Sequence, residues 1–565
     1  MIQTVEEVWG QVLIGLTDQY QETAGLSPGH AAQPGYGTSV RQNGASSPPA
    51  DASFCCDSDA PAPSHGQQPG DPALAIHLTK SRYMAGLQCL RRLWLLVHDP
   101  MPHEEPAPGS PVDIGQDIGR KAHRLFPGGI AVTEEPWEHA RAVARTAALM
   151  ADASVPAIFE AAFEHDGIRV RVDVLERLSA GAWGLREVKG SSGLKDHYID
   201  DIALQAHVLR GAGIALPSIE LLHVNTAYVR GAGDIVWPAF FARLDVGDAV
   251  AAALADLPSR LPAMRTCLDA TALPQAEPGS QCGSPYPCEF WDRCTAHKPD
   301  DWVSYMPRLS PSQADDLKAR GIEAISAIPP DFPLTARQAV IREAIATGQP
   351  FVAPDLKRLL HNYGPPACYL DFEAMMPPIP LYEGTRPYQT IPFQWSLHVL
   401  AGDGALHHRE FLADGDGDPR RAFAETLIAA LSGGDAPIVV YSAYEQTRLK
   451  ELAATFPDLR QSLTAIIARL ADLLRVVRNG IYFPDAGFSN SIKSVGPALC
   501  PDFTYEDLDD IADGATAAAA FLQLASGRLP SLEGADRLRA ALRVYCQRDT
   551  LAMVEVHRAL TRLAG

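Results

Sequence analysis

Residues 157–177 read AIFEAAFEHDGIRVRVDVLER, two alternating runs on either side of Asp166-Gly167. Asp-Gly between alternating runs signals a two-residue hairpin turn, in which both central positions take a left-handed backbone. In the second run Val170, Val172 and Val174 point one way, and Arg169, Arg171 and Asp173 the other. A third strand, WGLREVKG at 183–190, follows a Ser-Ala-Gly turn and places Glu187 and Lys189 on one face with Val188 opposite. KDHYIDDIALQAHVLRGAG, 195–213, then has helical spacing and ends at a glycine stop.

If the second and third strands pair, Asp173, Glu187 and Lys189 converge on one patch. Two carboxylates can hold magnesium, a hard cation that prefers oxygen ligands. A lysine beside them can position and activate water next to a scissile phosphate. The bland alternative is a salt bridge on a half-exposed sheet, and Asp…Glu-x-Lys alone does not separate the two.

The surrounding elements narrow the choice. Helices precede the hairpin, and one of them carries Gly119-Arg-Lys-Ala-His123; the helix after Lys189 carries Gln205 in DIALQAHVL. This order resembles the PD-(D/E)XK nuclease fold, and within it the RecB-type, CRISPR-associated branch. The resemblance implies that His123 helps Asp173 and Glu187 bind metal, that Lys189 is catalytic and that Gln205 orients the site. The family often has Tyr four residues after the glutamine; this chain has Leu209, a departure that bears on substrate positioning more than on the metal. A buried structural histidine is the other reading of His123.

Cys282-Gly-Ser-Pro-Tyr-Pro-Cys288-Glu-Phe-Trp-Asp-Arg-Cys294 sets three cysteines in one short loop, and Cys89 lies on the far side of the nuclease elements. One distant cysteine with a C-terminal trio resembles the iron–sulfur clasp of RecB-family nucleases, which implies a [4Fe-4S] cluster on thiolate ligands. Closing so long a loop ties the two ends of the domain together. A structural zinc site and unligated buried thiols are the alternatives, and Cys267 is the substitute ligand if Cys89 is not one.

A second core begins with ACYLDFEAM, continues through IPFQWSLHVL and APIVVYS, and closes with a long helix from about residue 535 to 563. Asp371 and Glu373 share one side of their strand. Tyr545 and Asp549 in VYCQRDTLAMVEV are one helical turn apart. An Asp-x-Glu strand followed far downstream by Tyr-x-x-x-Asp resembles the DEDD exonucleases of the DnaQ type, across about 366–563. It also resembles a bacterial uncharacterised domain often attached to RecB-like nucleases. The resemblance implies an RNase H-like mixed sheet, two magnesium or manganese ions held by Asp371, Glu373 and Asp549, and Tyr545 acting on the attacking water. The family expects an aspartate in the middle motif, where VVYSAYEQTRLKEL offers Glu445; Asp472 in LADLLRVV is the substitute. Ser489–Lys493 (SNSIK) reads either as a phosphate contact or as an ordinary helix start.

The expected architecture is therefore α/β, with a leader at 1–77, a clasped nuclease domain at 78–297, a helical connector at 298–365 and an exonuclease domain at 366–565. The leader is expected to be disordered, because its Gly-, Pro-, Ser- and Gln-rich stretch buries too little apolar surface to order itself, and Cys55 and Cys56 within it are incidental. In the connector, LSPSQADDLKARGIEAISAIP (309–329) reads as a spacer, with a small helical hairpin gripping a nucleic-acid backbone as the other reading. At 565 residues, 46% hydrophobic and 21% charged, the chain is globular and too long for one core. A net charge of −20 does not suggest a general polyanion binder, so nucleic acid must be held by local basic groups and metal ions. No apolar run reaches membrane-spanning length, and the acidic start does not resemble a signal peptide, so a cytoplasmic protein is expected.

No phosphate loop ending in Lys-Ser or Lys-Thr is present, so such a nuclease is expected to trim exposed ends or to depend on a separate helicase. The expected substrate is single-stranded DNA, with RNA as the other choice. A nucleic-acid-binding scaffold with one or both sites inactive is the alternative function. A thiol-redox or zinc regulator would leave both carboxylate sets unexplained.

Overall fold

The computed structural model describes residues 76–102, 105–179, 181–505, 508, 511–527 and 531–565. The expected leader, with Cys55 and Cys56, lies outside the described residues up to position 75. The chain is mixed α/β, with two mixed sheets and a short third one.

In the first half, β3 (Ala157–His165) and β4 (Ile168–Ser179) form the antiparallel hairpin, and β5 (Ala182–Lys189) pairs antiparallel with β4. Asp166 and Gly167 have φ of 50° and 69°, the left-handed pair that this turn demands. β6 (Ala215–Val224) lies parallel to β5 and is reached through the helix Asp196–Gly211, a βαβ crossover. β7 (Phe241–Asp245) closes one edge and β2 (Ile130–Ala131) the other, while β1 (Leu78–Thr79) adds to β4. On the valine face of β4, Val172 stands opposite Ala161 and Val174 opposite Phe159, all of them buried. A fully buried valine or isoleucine contributes roughly 2 kcal/mol. Burial of that face turns Asp173 and its neighbours to the opposite side of the sheet.

In the second half, β9 (Ala367–Met375), β10 (Ile391–Leu400) and β11 (Leu406–Leu412) form an antiparallel meander. β12 (Ile438–Val440) and β13 (Leu470–Asp472) extend it in parallel, giving the order β11-β10-β9-β12-β13. The helix Leu532–Leu563 lies across the face that carries Asp371 and Glu373. Three polar contacts seat it there. Tyr369 Oη meets His557 Nδ1 at 2.7 Å, Ser396 Oγ meets Thr550 Oγ1 at 2.8 Å, and Gln394 Nε2 donates to the Leu542 carbonyl at 2.9 Å.

The structure departs from the sequence expectations in several places. Where three helices were expected before the hairpin, four of two turns or more precede it among the described residues: Lys80–Gln88, Leu90–His98, Pro111–Ala122 and His139–Ala151. The first two are separated because Cys89 is extended, at φ −166° and ψ 125°. The connector is not a bare spacer. Trp302, Met306, Leu317, Ile325 and Ile341 form a core of their own together with Tyr482. Its last part belongs with the second half: β8 (Phe351–Val352) pairs with β14 (Ile481–Tyr482), and Leu356 and Leu360 pack with Tyr369 and Leu473. β7 and β11 were also not foreseen. No helix among the described residues is long and apolar enough to cross a membrane.

Candidate functional sites

The hairpin and the crossover helix assemble the first site. Register sets Val174 opposite Arg186, so the Asp173 and Glu187 side chains meet on one face, and Asp173 Oδ2 accepts from the Val188 amide at 2.7 Å. Lys189 Nζ lies 2.6 Å from Glu187 Oε1 and 2.8 Å from Asp201 Oδ2. Gln205, fully buried, donates to Glu187 Oε2 at 2.8 Å and to Asp201 Oδ1 at 3.0 Å. The structure thus gathers Asp173, Glu187, Lys189 and Gln205.

It also adds Lys80 and Asp201, which the sequence reading missed. Lys80 Nζ sits 2.6 Å from Glu187 Oε1 and 3.3 Å from Asp201 Oδ2. Asp201 precedes Gln205 by one helical turn, a same-face signal that was there to be read. Glu160, at φ 55°, stands across from Asp173 in the hairpin, between the pairs Phe159–Val174 and Ala161–Val172.

Electrostatics at this site follow from burial and neighbours. Burial, then the Glu187 charge, pushes Asp173 up to about 7. Burial alone would raise Glu187 too, but Lys189 and Lys80 hold it below the usual carboxylate range. Burial opposes the charge on Lys189, yet Glu187 and Asp201 keep it firmly protonated. His123 is the third residue expected at this metal site. It ends the Pro111–Ala122 helix and stacks flat on Phe159, with ring centroids 3.8 Å apart. Among the described residues it belongs to no trio of ligand atoms within 4.8 Å of one another. Leu209, where the family pattern has Tyr, is core.

Cys89, Cys282, Cys288 and Cys294 line one small cavity. Gln88 Nε2 fastens the loop by donating to the Gln281 and Tyr286 carbonyls, both at 2.7 Å. Cys288 N donates to the Cys282 carbonyl at 2.8 Å. Burial raises the Cys288 thiol to about 11. Among the described residues no three of these sulfurs lie mutually within 4.8 Å. Cys267 stands apart, its thiol donating to the Leu90 carbonyl at 3.1 Å.

The second site is a cavity of about 730 Å³ whose lining includes Asp371, Glu373, Glu445, Tyr545 and Asp549. Asp371 and Glu373 come from β9; Glu445 opens the helix Tyr444–Thr455 just after β12; Tyr545 and Asp549 descend from the C-terminal helix. Burial, followed by the charges of Glu373, Asp549 and Glu445, raises Asp371 well above its ordinary range. Burial, then Asp472, raises Glu445 to about 8. Asp472 therefore stands behind Glu445, at the end of β13, and does not line the cavity.

Lys493 Nζ donates to Tyr545 Oη at 2.9 Å, and Arg448, Arg478, Ser489, Asn490 and Ser491 add polar and basic groups to the cavity lining. Ser491 caps the helix Ile492–Leu499, accepting from the Lys493 amide. Ser489–Lys493 is thus both a helix start and a cavity wall. Cys546, also unforeseen, places its Sγ 3.6 Å from Asp371 Oδ2. Its spacing of three residues from Asp549 was the available sign.

Residues 368–491 match a family described as "Domain of unknown function (DUF2779)". No curated protein matches the chain.

Proposed function

We propose that this chain is a divalent-metal-dependent nuclease, a phosphodiester hydrolase whose principal centre is the carboxylate cavity of the second half. One observation carries the reading: four carboxylates and a tyrosine from three separate stretches of sequence line a single cavity together with basic groups. Like charges gathered away from water repel, and only protons or cations make the cluster tolerable. The raised Asp371 and Glu445 are the mark of that strain.

The donor set fits hard divalent cations, since it is rich in oxygen and Glu445 Oε2 is buried without a hydrogen-bond partner. Asp371, Glu373, Glu445 and Asp549 would hold magnesium or manganese, which when bound would polarise water and neutralise charge developing on the phosphate. Water adds to phosphorus, the bond to the 3′ oxygen breaks, and that oxygen leaves with a proton. Tyr545, whose phenol oxygen accepts from Lys493 Nζ on the cavity lining, orients the attacking water. Arg448, Arg478 and Lys493 steady the strand's phosphates. The antiparallel meander extended by parallel strands supports an RNase H-like fold, and the Tyr-x-x-x-Asp helix supports 3′–5′ exonuclease action on single-stranded DNA.

The first half supports a PD-(D/E)XK fold with Lys189 catalytic. A specific observation favours a second reading for this site alone. Lys80 and Lys189 already occupy Glu187 Oε1, and Gln205 its Oε2, the oxygens a metal there would need. The first half would then be a strand-binding scaffold with an inactive site. Its clasp supports a [4Fe-4S] cluster over zinc. A tetrahedral zinc with bonds of ~2.3 Å would draw its four sulfurs to roughly 4 Å separations, and a cubane spreads them wider.

The test is incubation of the full chain with DNA or RNA strands labelled at either end, in magnesium, manganese or chelator. Metal-dependent shortening from the 3′ end, lost in Asp371→Asn and kept in Lys189→Met, is expected. Equal shortening by Asp371→Asn would overturn the assignment.

A further inference from the structure

Cys546 has no task in that hydrolytic scheme. It sits on the turn between Tyr545 and Asp549, fully buried, facing Asp371. Its Sγ and one oxygen each from Asp371 and Glu373 lie within 4.8 Å of one another, the only such ligand trio among the described residues. A separate observation points to a cation: Glu445, only 4% exposed, lines the same cavity with its Oε2 lacking any hydrogen-bond partner.

Magnesium gains little from sulfur, whereas thiolates select softer divalent ions. Resting on the reading of this cavity as a divalent-cation centre, we infer that Cys546 is a metal ligand. The cavity takes one zinc-class ion through the Cys546 thiolate and the Asp371 and Glu373 carboxylates, in preference to magnesium. On binding, the S–H bond breaks, a sulfur lone pair goes to the ion and the proton leaves to solvent, with no change of oxidation state. Zinc at this position blocks the magnesium arrangement, so a zinc excess inhibits the enzyme.

The test is titration of the full chain with cadmium chloride, read by cadmium–thiolate charge-transfer absorption. Wild type, Cys546→Ser, Cys546→Ala and Asp371→Asn are purified alike, so that the four clasp cysteines are in the same state in each and cancel in difference spectra. Wild type is expected to show one further equivalent of thiolate absorption over both Cys546 variants, unmoved by excess magnesium. Asp371→Asn should bind that equivalent on the order of tenfold more weakly. Two substitutions guard against one that fails to fold, as judged by its thermal transition. Superimposable titrations of wild type and a folded Cys546 variant overturn the inference. Hydrolysis in magnesium is followed on the same preparations. Hydrolysis with superimposable titrations defeats this inference alone, and thiolate absorption without hydrolysis defeats only the nuclease reading.

Discussion

The Tyr388 hydroxyl donates to the main-chain carbonyl of Gly190, the residue directly after Lys189. Tyr388 belongs to residues 376–390, the loop between β9 and β10, so the second half braces the end of the strand that carries the first site. The same loop receives Arg230 Nη1 at the Pro380 carbonyl, 2.7 Å, and Arg386 Nη1 reaches back to the Ala227 carbonyl at 2.9 Å. Tyr388 packs with Ile118, Val224, Tyr228 and Phe240. The loop between β9 and β10 thus ties the two halves together by hydrogen bonds in both directions.

Removing that brace should be measurable. Tyr388→Phe leaves a carbonyl without its donor and is expected to cost about 1 kcal/mol, and Tyr388→Ala about 3 kcal/mol or more through the cavity it leaves. Calorimetry of Tyr388→Ala should resolve two thermal transitions where wild type shows coupled melting.

Lys80 offers a sharper prediction. Glu187 is fully buried and shares its Oε1 between Lys80 and Lys189. Lys80→Met should lower stability by about 2 kcal/mol, less than for a fully sealed pair because Lys80 remains partly exposed. Adding Glu187→Gln should recover part of the loss. Urea midpoints of the two variants check this; a Lys80→Met midpoint equal to wild type would show that the pair adds nothing.

Raised carboxylates make stability depend on pH in a set direction. Glu445 has an ordinary value of 4.5 and rises to about 8 in the folded chain, so between these the folded state keeps a proton that the unfolded state has lost. The stabilisation is complete below about 4.5 and disappears as pH climbs through about 8. Asp173 acts the same way between 3.8 and about 7. The melting temperature of metal-stripped protein should therefore fall over this window. Manganese, which competes with those protons, should raise it more at about pH 8 than at about pH 6.

The clasp is tested by composition. Protein kept anaerobic should be brown and contain about four iron and four sulfide per chain, and Cys288→Ser should lose both. Stoichiometric zinc without iron would replace the cluster with the zinc alternative.

Much of this architecture is local in sequence and was legible there. The Asp166-Gly167 turn fixes the hairpin register, which places Glu160 opposite Asp173 and went unread; the separate pairing of β4 with β5 brings together the strands of Asp173 and Glu187. Asp371, Glu373, Tyr545 and Asp549 were visible because strand alternation and helical spacing put each pair on one face. Lys80 was not, since it meets Glu187 from 107 residues away and no periodicity links them. The stacking of His123 on Phe159 was not legible, because its motif says nothing of Phe159. The connector's core was hidden for a similar reason: Tyr482, which completes it, lies far downstream in the sequence.

The most direct trial is the single-turnover rate at which a 5′-labelled single strand shortens in magnesium, with wild type beside Asp549→Asn. Asp549 is only 8% exposed and shares the cavity with Asp371, Glu373 and Glu445. Wild type should shorten the strand stepwise, and Asp549→Asn should be slower by about a hundredfold or more while melting no lower than wild type. A wild-type chain that leaves the strand intact, or an Asp549→Asn rate equal to wild type, would contradict the account.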